Sequence, residues 1–463
     1  MTAGSPAAAG DDTGGIRSAL GGLTTRGRSF LAAGVAAAMC AVVLGQSDLL
    51  RVGLLLAVLP LLCAAVLYRT RHRVAGSRRL LPSRVPAGSE ARVHLCLENV
   101  SRLPTGLLML QDHVPYVLGP RPRFVLDRVE PGGRREVSYR VRSDLRGRYP
   151  LGPLQLRLDD PFGMCELTRS FSTADTLTVV PRTEPLPAVS LPGDAAGHGE
   201  GRQRTSALAG DDDVIPRTYR HGDDLRRVHW RSTARYGELM VRREEQPRRP
   251  SCTVLLDTRR SAYHGAGPDS AFEWAVSGAA SAVVHMLERG FSVRLLTDTG
   301  TSLPGDGADP PAGSPQEAAA LMLDALAVVD HSDGRGLSHA CDALRGGGEG
   351  LLIAFLGDMD EEQTAVAARM RRRSGSAVAF VPDSGLWAAD RAEDGAVHRA
   401  VDGAVDGMPD DAVQARLRGL REAGWTVVPA GPGAALPALW RAAGRERAHS
   451  APAGTAGITG EWS

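Results

Sequence analysis

Between Arg217 and Arg243 the chain reads RTYRHGDDLRRVHWRSTARYGELMVRR, setting His221, Asp223, Asp224 and His229 among eight arginines and three aromatic rings. Carboxylates and imidazoles of this kind can ligate zinc or manganese. Arginines interleaved with Tyr219, Trp230 and Tyr236 are what phosphate pairing and base stacking require. An acid beside a histidine also suits hydrolysis, but no nucleophile stands with a base here, so that chemistry lacks its central part. From Arg217 to Arg249 there are ten arginines against five acids, and ion pairing consumes much of that excess. A packing role fits the residue types better. Asp223 beside Gly222 makes a turn and can accept a bidentate bond from Arg226 or Arg235. Trp230, with Leu225 and Val228, offers an apolar anchor. The stretch is expected to be a strap between folded parts and a docking surface carried by Arg217, Tyr219, Gly222, Asp223, Asp224, Arg226, Trp230 and Arg235. No catalytic residue is assigned.

The elements that must position this stretch follow from the rest of the chain. At 463 residues it has room for two or three domains. Its formal net charge of +1 argues against a nucleic-acid binder, which carries a clear basic excess. Every basic side chain outside histidine is arginine. Six cysteines lie scattered without a C-x-x-C pair, which points to buried thiols in a reducing compartment rather than to disulfides or zinc.

Residues 1–28 are small and polar and read as a disordered cytosolic tail. Residues 29–68 hold two apolar runs, Phe30–Gly45 and Val52–Tyr68, each able to extend to a spanning length. They predict a transmembrane hairpin in the cytoplasmic membrane. Arg17, Arg26 and Arg28 precede it and Arg69, Arg71, Arg73, Arg78 and Arg79 follow, whereas the connecting loop offers only Arg51 offset by Asp48. The positive-inside rule then places both termini in the cytoplasm.

Residues 80–187 alternate with period two, in RVHLCLENV, EVSYRV and LQLRL, between Pro- and Gly-rich turns. That pattern predicts an antiparallel β-sandwich of immunoglobulin-like type. Residues 188–213 read as a flexible linker, and 214–249 as the strap. Residues 250–444 alternate continuous apolar strands with amphipathic helices, beginning at TVLLDT, and predict a mostly parallel, doubly wound, Rossmann-like α/β domain. Residues 445–463 read as a disordered tail.

Three segments carry a family resemblance: RGRYPLGP (Arg146–Pro153), DPFG (Asp160–Gly163) and above all the opening stretch. Arg217, Tyr219, Gly222, Asp223, Arg226, Trp230, Ala234 and Arg235, with Val228 at an aliphatic position, fit the pattern R-x-Y-x-x-G-D-x-x-R-x-I-x-W-x-x-x-A-R. In these features the chain resembles the bacterial domain-of-unknown-function 58 family from Phe30 to about Gly444. The resemblance implies a von Willebrand factor A-like α/β domain. It also implies partnership with a MoxR-type AAA+ ATPase, often beside a transglutaminase-like membrane protein.

Metal-binding members of the von Willebrand A class use D-x-S-x-S after the first strand, with a threonine and an aspartate from later loops. Here DTRRS keeps Asp257 and Ser261 but sets Arg259 at the middle position. DHSDGRG offers no threonine, while Asp358 stands where the remote aspartate belongs. These are remnants of a metal site. Arg259 is expected to pair with Asp257 and Asp358 in place of the magnesium or manganese ion, so no cofactor is expected.

The sequence therefore favours a membrane-anchored, non-enzymatic scaffold or adaptor. A metal-dependent hydrolase is the first alternative, and nucleic-acid binding through the arginine-rich strap the second. Reporter fusions test the topology: a fusion at Ser463 should be active only as a cytoplasmic reporter, and one near Ser47 only as an external one. External activity at Ser463 would overturn the arrangement.

Overall fold

A computed structural model describes residues 22–70, 74–102, 104–105, 107–160, 162–171, 174–189, 191, 216–219, 228, 230–242, 250–303, 305, 314–346, 350–383, 386–387 and 410–450. The chain divides into two compact units, Met1–Val180 and Pro181–Ser463.

The first unit begins with a helical hairpin, α1 (Thr25–Leu44) and α2 (Ser47–Thr70). Both helices are long and apolar enough to cross a membrane. Thr24 caps α1 by accepting the Gly27 amide, and Gly45 ends it in the left-handed conformation at φ 67°. The helices touch through small residues. A Cβ on Gly34 would stand 2.6 Å from the Ala57 nitrogen, and one on Gly53 would stand 2.7 Å from that of Ala38. Gly34 with Ala38 and Gly53 with Ala57 thus form facing small-xxx-small pairs, which let apolar helices pack backbone to backbone.

Three small sheets form the rest of this unit. Strands β1 (Val74–Leu81), β3 (Glu90–Asn99) and β6 (Arg134–Arg142) pair antiparallel, β3 in the middle. Strands β4 (Leu108–Asp112), β5 (Arg123–Leu126), β8 (Leu154–Asp159) and β9 (Glu166–Phe171) form a second antiparallel sheet in the order β5-β4-β8-β9. Strand β10 (Asp175–Val180) joins β2 (Arg84–Pro86) in parallel and β7 (Gly147–Leu151) in antiparallel. The period-two pattern explains the core: Val93, Leu95 and Leu97 of β3 meet Leu108, Leu110, Leu154, Leu156 and Leu158. The strands start at Val74, six residues before the boundary expected from the sequence, because Val74 itself enters this core.

One polar network crosses that core. Arg78 of β1 clamps Asp112 of β4, Nε to Oδ2 at 3.1 Å and Nη2 to Oδ1 at 2.5 Å. Its Nη1 donates to the Leu151 carbonyl at 2.6 Å, and the Tyr139 hydroxyl donates to Asp112 Oδ2 at 2.6 Å. Both charged side chains are 1% exposed or less. Burial and then the Asp112 bond push the Tyr139 hydroxyl far above its ordinary pKa, so it remains a donor.

The DPFG segment seats the hairpin. Asp160 accepts the amides of Cys165 at 2.6 Å and Phe162 at 3.1 Å, closing a tight loop. That loop offers the Gly163 and Met164 carbonyls to the Thr24 hydroxyl at 2.8 and 3.0 Å. Leu23, Cys63, Ala64, Met164 and Cys165 close a small apolar cluster around the joint. Residues 22–28, expected to be disordered, are ordered by this seat. Residues 1–21 lie outside the described residues.

The second unit is a six-stranded sheet. Its strands are β13 (Ser251–Leu256), β14 (Ser292–Thr297), β15 (Ser302–Leu303), β16 (Leu351–Phe355), β17 (Ser376–Pro382) and β18 (Thr426–Ala430), in the order β15-β14-β13-β16-β17-β18. All neighbours pair in parallel except the short edge strand β15. Helices α4 (Ala271–Glu288), α5 (Pro315–Leu326), α6 (Ser338–Ala343), α7 (Glu361–Arg372), α8 (Asp410–Glu422) and α9 (Leu436–Ser450) cover both faces. Val254 and Leu256 of β13 pack with α4, α5 and α9, whereas Leu255 between them packs with α6, α7 and α8. Continuous apolar strands are the consequence of two covered faces. Side-chain caps start the helices: Ser314 and Glu317 form a capping box on α5, Ser270 caps α4 and Asp360 caps α7.

Two expected boundaries move. Residues 188–191 do not begin a free linker, since Leu191 is fully buried in the α/β core and the Val189 carbonyl accepts from Arg289 at 3.3 Å. Residues 192–213 lie outside the described residues. The C-terminal tail expected from residue 445 is still helix through Ser450, because α9 buries Trp440 and Ala443 on its way. Residues 451–463 lie outside the described residues.

Arg78→Met should cost about 3–5 kcal/mol, because it strands the Asp112 charge in the core. The double variant Arg78→Met with Asp112→Leu should recover a large part of that loss. Urea unfolding of full-length protein in detergent checks both; a double variant no more stable than the single one would contradict the network.

Candidate functional site

The doubly wound order reverses between β13 and β16, and the carboxyl ends of the strands open there. Each of four parallel strands is followed by an aspartate: Asp257 after β13, Asp298 after β14, Asp358 after β16 and Asp383 after β17. Their partners define what this end of the sheet can do.

Asp257 has no exposed surface, and Arg259 is 3% exposed. The guanidinium clamps the carboxylate side-on, Nε to Oδ1 at 3.0 Å and Nη2 to Oδ2 at 2.7 Å. The backbone amides of Arg259 and Gly357 complete the shell at 3.1 and 3.2 Å. Burial raises the Asp257 pKa against the pull of Arg259. Burial is also the largest influence on Arg259 and opposes its charge, but the Asp257 bond and the nearby negative charges together outweigh it and the guanidinium pKa rises. The side-on geometry closes the pair on itself.

Arg259 reaches Asp358 only through that residue's backbone carbonyl, at 3.0 Å. The expectation that it would also take the Asp358 carboxylate is corrected here. Arg416 from α8 takes Asp358 Oδ1 at 2.7 Å, and His264 Nε2 stands 3.7 Å from Oδ2. Ser261 is exposed on the 3-10 turn Arg260–Ala262 that follows. Asp298 accepts the Thr258 amide at 2.9 Å and the Thr258 hydroxyl on Oδ1, and the Ser332 hydroxyl at 2.8 Å on Oδ2. Tyr263 is buried beside this cluster, and burial holds its hydroxyl well above the ordinary range.

Three of these residues escaped the sequence reading. Asp298 was legible, since LLDT, LLTD, FLGD and FVPD repeat an apolar run ending in aspartate. Ser332 takes the loop position where a threonine was sought. Arg416 gives no local signal, because it is one arginine on an amphipathic helix that folding carries to the sheet.

The arginine-rich stretch is described in part. Strands β11 (Pro216–Thr218) and β12 (Met240–Arg242) pair antiparallel, with the helix α3 (Trp230–Tyr236) between them. The Thr233 hydroxyl accepts the Met240 amide at 3.1 Å, tying helix to ribbon. Arg217 lies on β11, and Tyr219 follows it with its amide on the Leu239 carbonyl at 2.7 Å. Val228 is buried and bridges to Val241. Trp230 is 71% exposed and Tyr236 63% exposed, with Arg235 exposed beside them. The buried apolar side chain of the segment is thus Val228, and the Trp230 ring is exposed. Gly222, Asp223, Asp224 and Arg226 lie outside the described residues, as do His221, Leu225 and His229.

Comparison with known proteins finds a family match over part of the chain and no activity. The family described as Protein of unknown function DUF58 matches residues 216–365. The Bacillus subtilis (strain 168) protein described as "Uncharacterized protein YeaD" is 25% identical over 230 residues, 48% of this chain and 55% of that protein. The chain thus matches about half the length of that relative. Among solved structures, the CARDB domain of the PF1109 protein from Pyrococcus furiosus is 12% identical over 23% of this chain and 84% of that one, at a TM-score of 0.17. Spo0M, a sporulation control protein from Bacillus subtilis, is 13% identical over 23% of this chain and 49% of that one, at 0.15. Likenesses at those scores carry no argument about fold or function.

Arg259→Ser restores D-x-S-x-S and strands Asp257, so in metal-free buffer it should cost about 3–5 kcal/mol. Manganese should recover part of that loss in the variant, while the wild type gains little. Thermal melts with and without the ion check this. Strong manganese binding that is equal in both proteins would show that Arg259 does not stand in the ion's place.

Proposed function

We propose that this protein is a membrane-anchored, non-enzymatic scaffold or adaptor. In this reading the hairpin spans the cytoplasmic membrane with both termini in the cytosol, and the β body is an immunoglobulin-like sandwich. The α/β unit is a von Willebrand A-like domain whose metal position has become an ion pair, and it docks a partner protein. A MoxR-type AAA+ ATPase is the partner class the family resemblance implies, with a transglutaminase-like membrane protein as a second component.

The observation that carries the proposal is the closure of Asp257 by Arg259. A hydrolase at the switch point needs a free carboxylate, a metal or a nucleophile with a base. Here the acid best placed for such work is spent on a buried guanidinium. Docking asks less of the sheet end and more of the surface. On α3 the surface offers an exposed tryptophan and tyrosine beside arginines, residue types enriched at protein interfaces.

Tagged protein recovered from membranes should bring its partner in both native and chelator-treated buffer. Trp230→Ala should leave stability within about 0.5 kcal/mol of wild type, since the ring is 71% exposed, yet lower partner recovery several-fold. Recovery that vanishes with the chelator would favour the metal-dependent alternative. Recovery unchanged by Trp230→Ala would remove α3 from the docking surface.

A further inference from the structure

The loop that seats the hairpin packs alongside the apolar helices rather than below them. The Cys165 thiol donates to the Pro60 carbonyl at 3.6 Å. The Met164 carbonyl lies so close to Gly27 that a Cβ there would collide with it. Gly27 is the third residue of α1, and Pro60 stands seven residues inside Leu67, where the apolar span of α2 ends. Seven residues are about 10 Å of helix. The two spans, of 20 and 21 residues, are each about 30 Å long, the thickness of the hydrocarbon core they would cross. No length is left over. A hairpin that fills the core therefore draws this loop to the boundary of the bilayer.

The loop's own bonding suits that boundary. The Phe162 and Cys165 amides donate to the Asp160 carboxylate at 3.1 and 2.6 Å. The Gly163 amide donates to the Asp160 carbonyl at 3.0 Å, and the Asp160 amide to the Cys165 carbonyl at 3.2 Å. Pro161 brings no amide. The Thr24 amide and hydroxyl donate to the Met164 carbonyl at 2.9 and 3.0 Å. Irregular backbone tolerates an apolar medium only when its polar groups are satisfied in this way. Toward its surroundings the loop presents Phe162, 59% exposed. Arg26 is exposed beside it, its Nη1 3.9 Å from where a Cβ on Gly163 would stand.

We infer that the loop from Asp160 to Cys165 is a second membrane contact, in which the Phe162 ring enters the cytoplasmic leaflet at the level of the headgroups. Aromatic and aliphatic side chains bury at that depth, and a long cation such as Arg26 beside them keeps its charge among the headgroups. The partner is thus a lipid surface, and the inference rests on the hairpin spanning the membrane. The hairpin ties the β body to the bilayer. The loop adds a point of contact outside the helix axes, which limits how that body tilts against the surface.

Full-length protein reconstituted into phosphatidylcholine vesicles tests this, with the photo-crosslinker p-benzoylphenylalanine placed at one position at a time and lipid adducts read by mass spectrometry. Leu55, 66% exposed within the α2 span, reports whether the hairpin lies in lipid. Tyr116, 96% exposed, follows the Asp112 end of β4, which pairs with the end of β8 away from Asp160, and serves as the aqueous reference. All three positions are exposed, so the substitutions leave the core intact. Adducts are expected at Leu55 and Phe162, with the Phe162 yield at least about tenfold above that at Tyr116. Labelling at Leu55 with a Phe162 yield no higher than that at Tyr116 would overturn the loop contact and leave the spanning hairpin standing. No adduct at Leu55 would take the hairpin out of lipid, and the loop contact would fall with it.

Discussion

A buried carboxylate must be answered, and at the head of β13 the answer is an arginine two residues along the same chain. Asp257 has no exposed surface, so its charge must be neutralised locally by partners that fold with it. Arg259 supplies two bonds, and its own amide and that of Gly357 supply two more. The clamp then fixes neighbouring elements. Its free reach to the Asp358 carbonyl holds the loop after β16, and the Asp358 carboxylate in turn holds Arg416 on α8. Two loops and one helix at this end of the sheet are thus placed by a chain of acid–arginine contacts.

The first unit uses the same device for a different end. Arg78 and Asp112 join two sheets through the apolar core between them. A planar fork meeting a planar carboxylate has one good geometry, and Tyr139 and the Leu151 carbonyl saturate what remains. The Asp160 loop works at smaller scale. By holding its own amides it turns its carbonyls outward, and these receive the first residues of the hairpin. Two sequence segments that carry the family resemblance, one at DPFG and one after Arg146, therefore do structural work within this unit.

The elements with strong periodicity were legible in the sequence: the two apolar helices, the alternating strands around Val93–Leu97, and the continuous apolar strands of the α/β unit. Boundaries were less so. Leu23, Leu191 and Ala443 each lie in segments of small or polar composition, and only tertiary burial orders them. At the site, Asp257, Arg259 and Asp358 could be read from local spacing. Arg416 could not, because it is more than fifty residues from Asp358 and meets it only after α8 folds onto the sheet. Trp230, placed in the docking motif by its residue type, is exposed, and burial on that segment falls to Val228.

Aspartates after successive parallel strands are the raw material of a cation site, since strand ends converge and carboxylates there share one face. An arginine beside the first of them brings to the carboxylate the positive charge that burial demands. Arg259 answers Asp257, and Asp358 is a fixed acceptor for a second guanidinium, that of Arg416. That second guanidinium is held on the Asp358 carboxylate through Nη1, which fixes α8 against the loop after β16. At this end of the sheet the two acids hold arginines and, through them, the loops and helix that surround the strand ends.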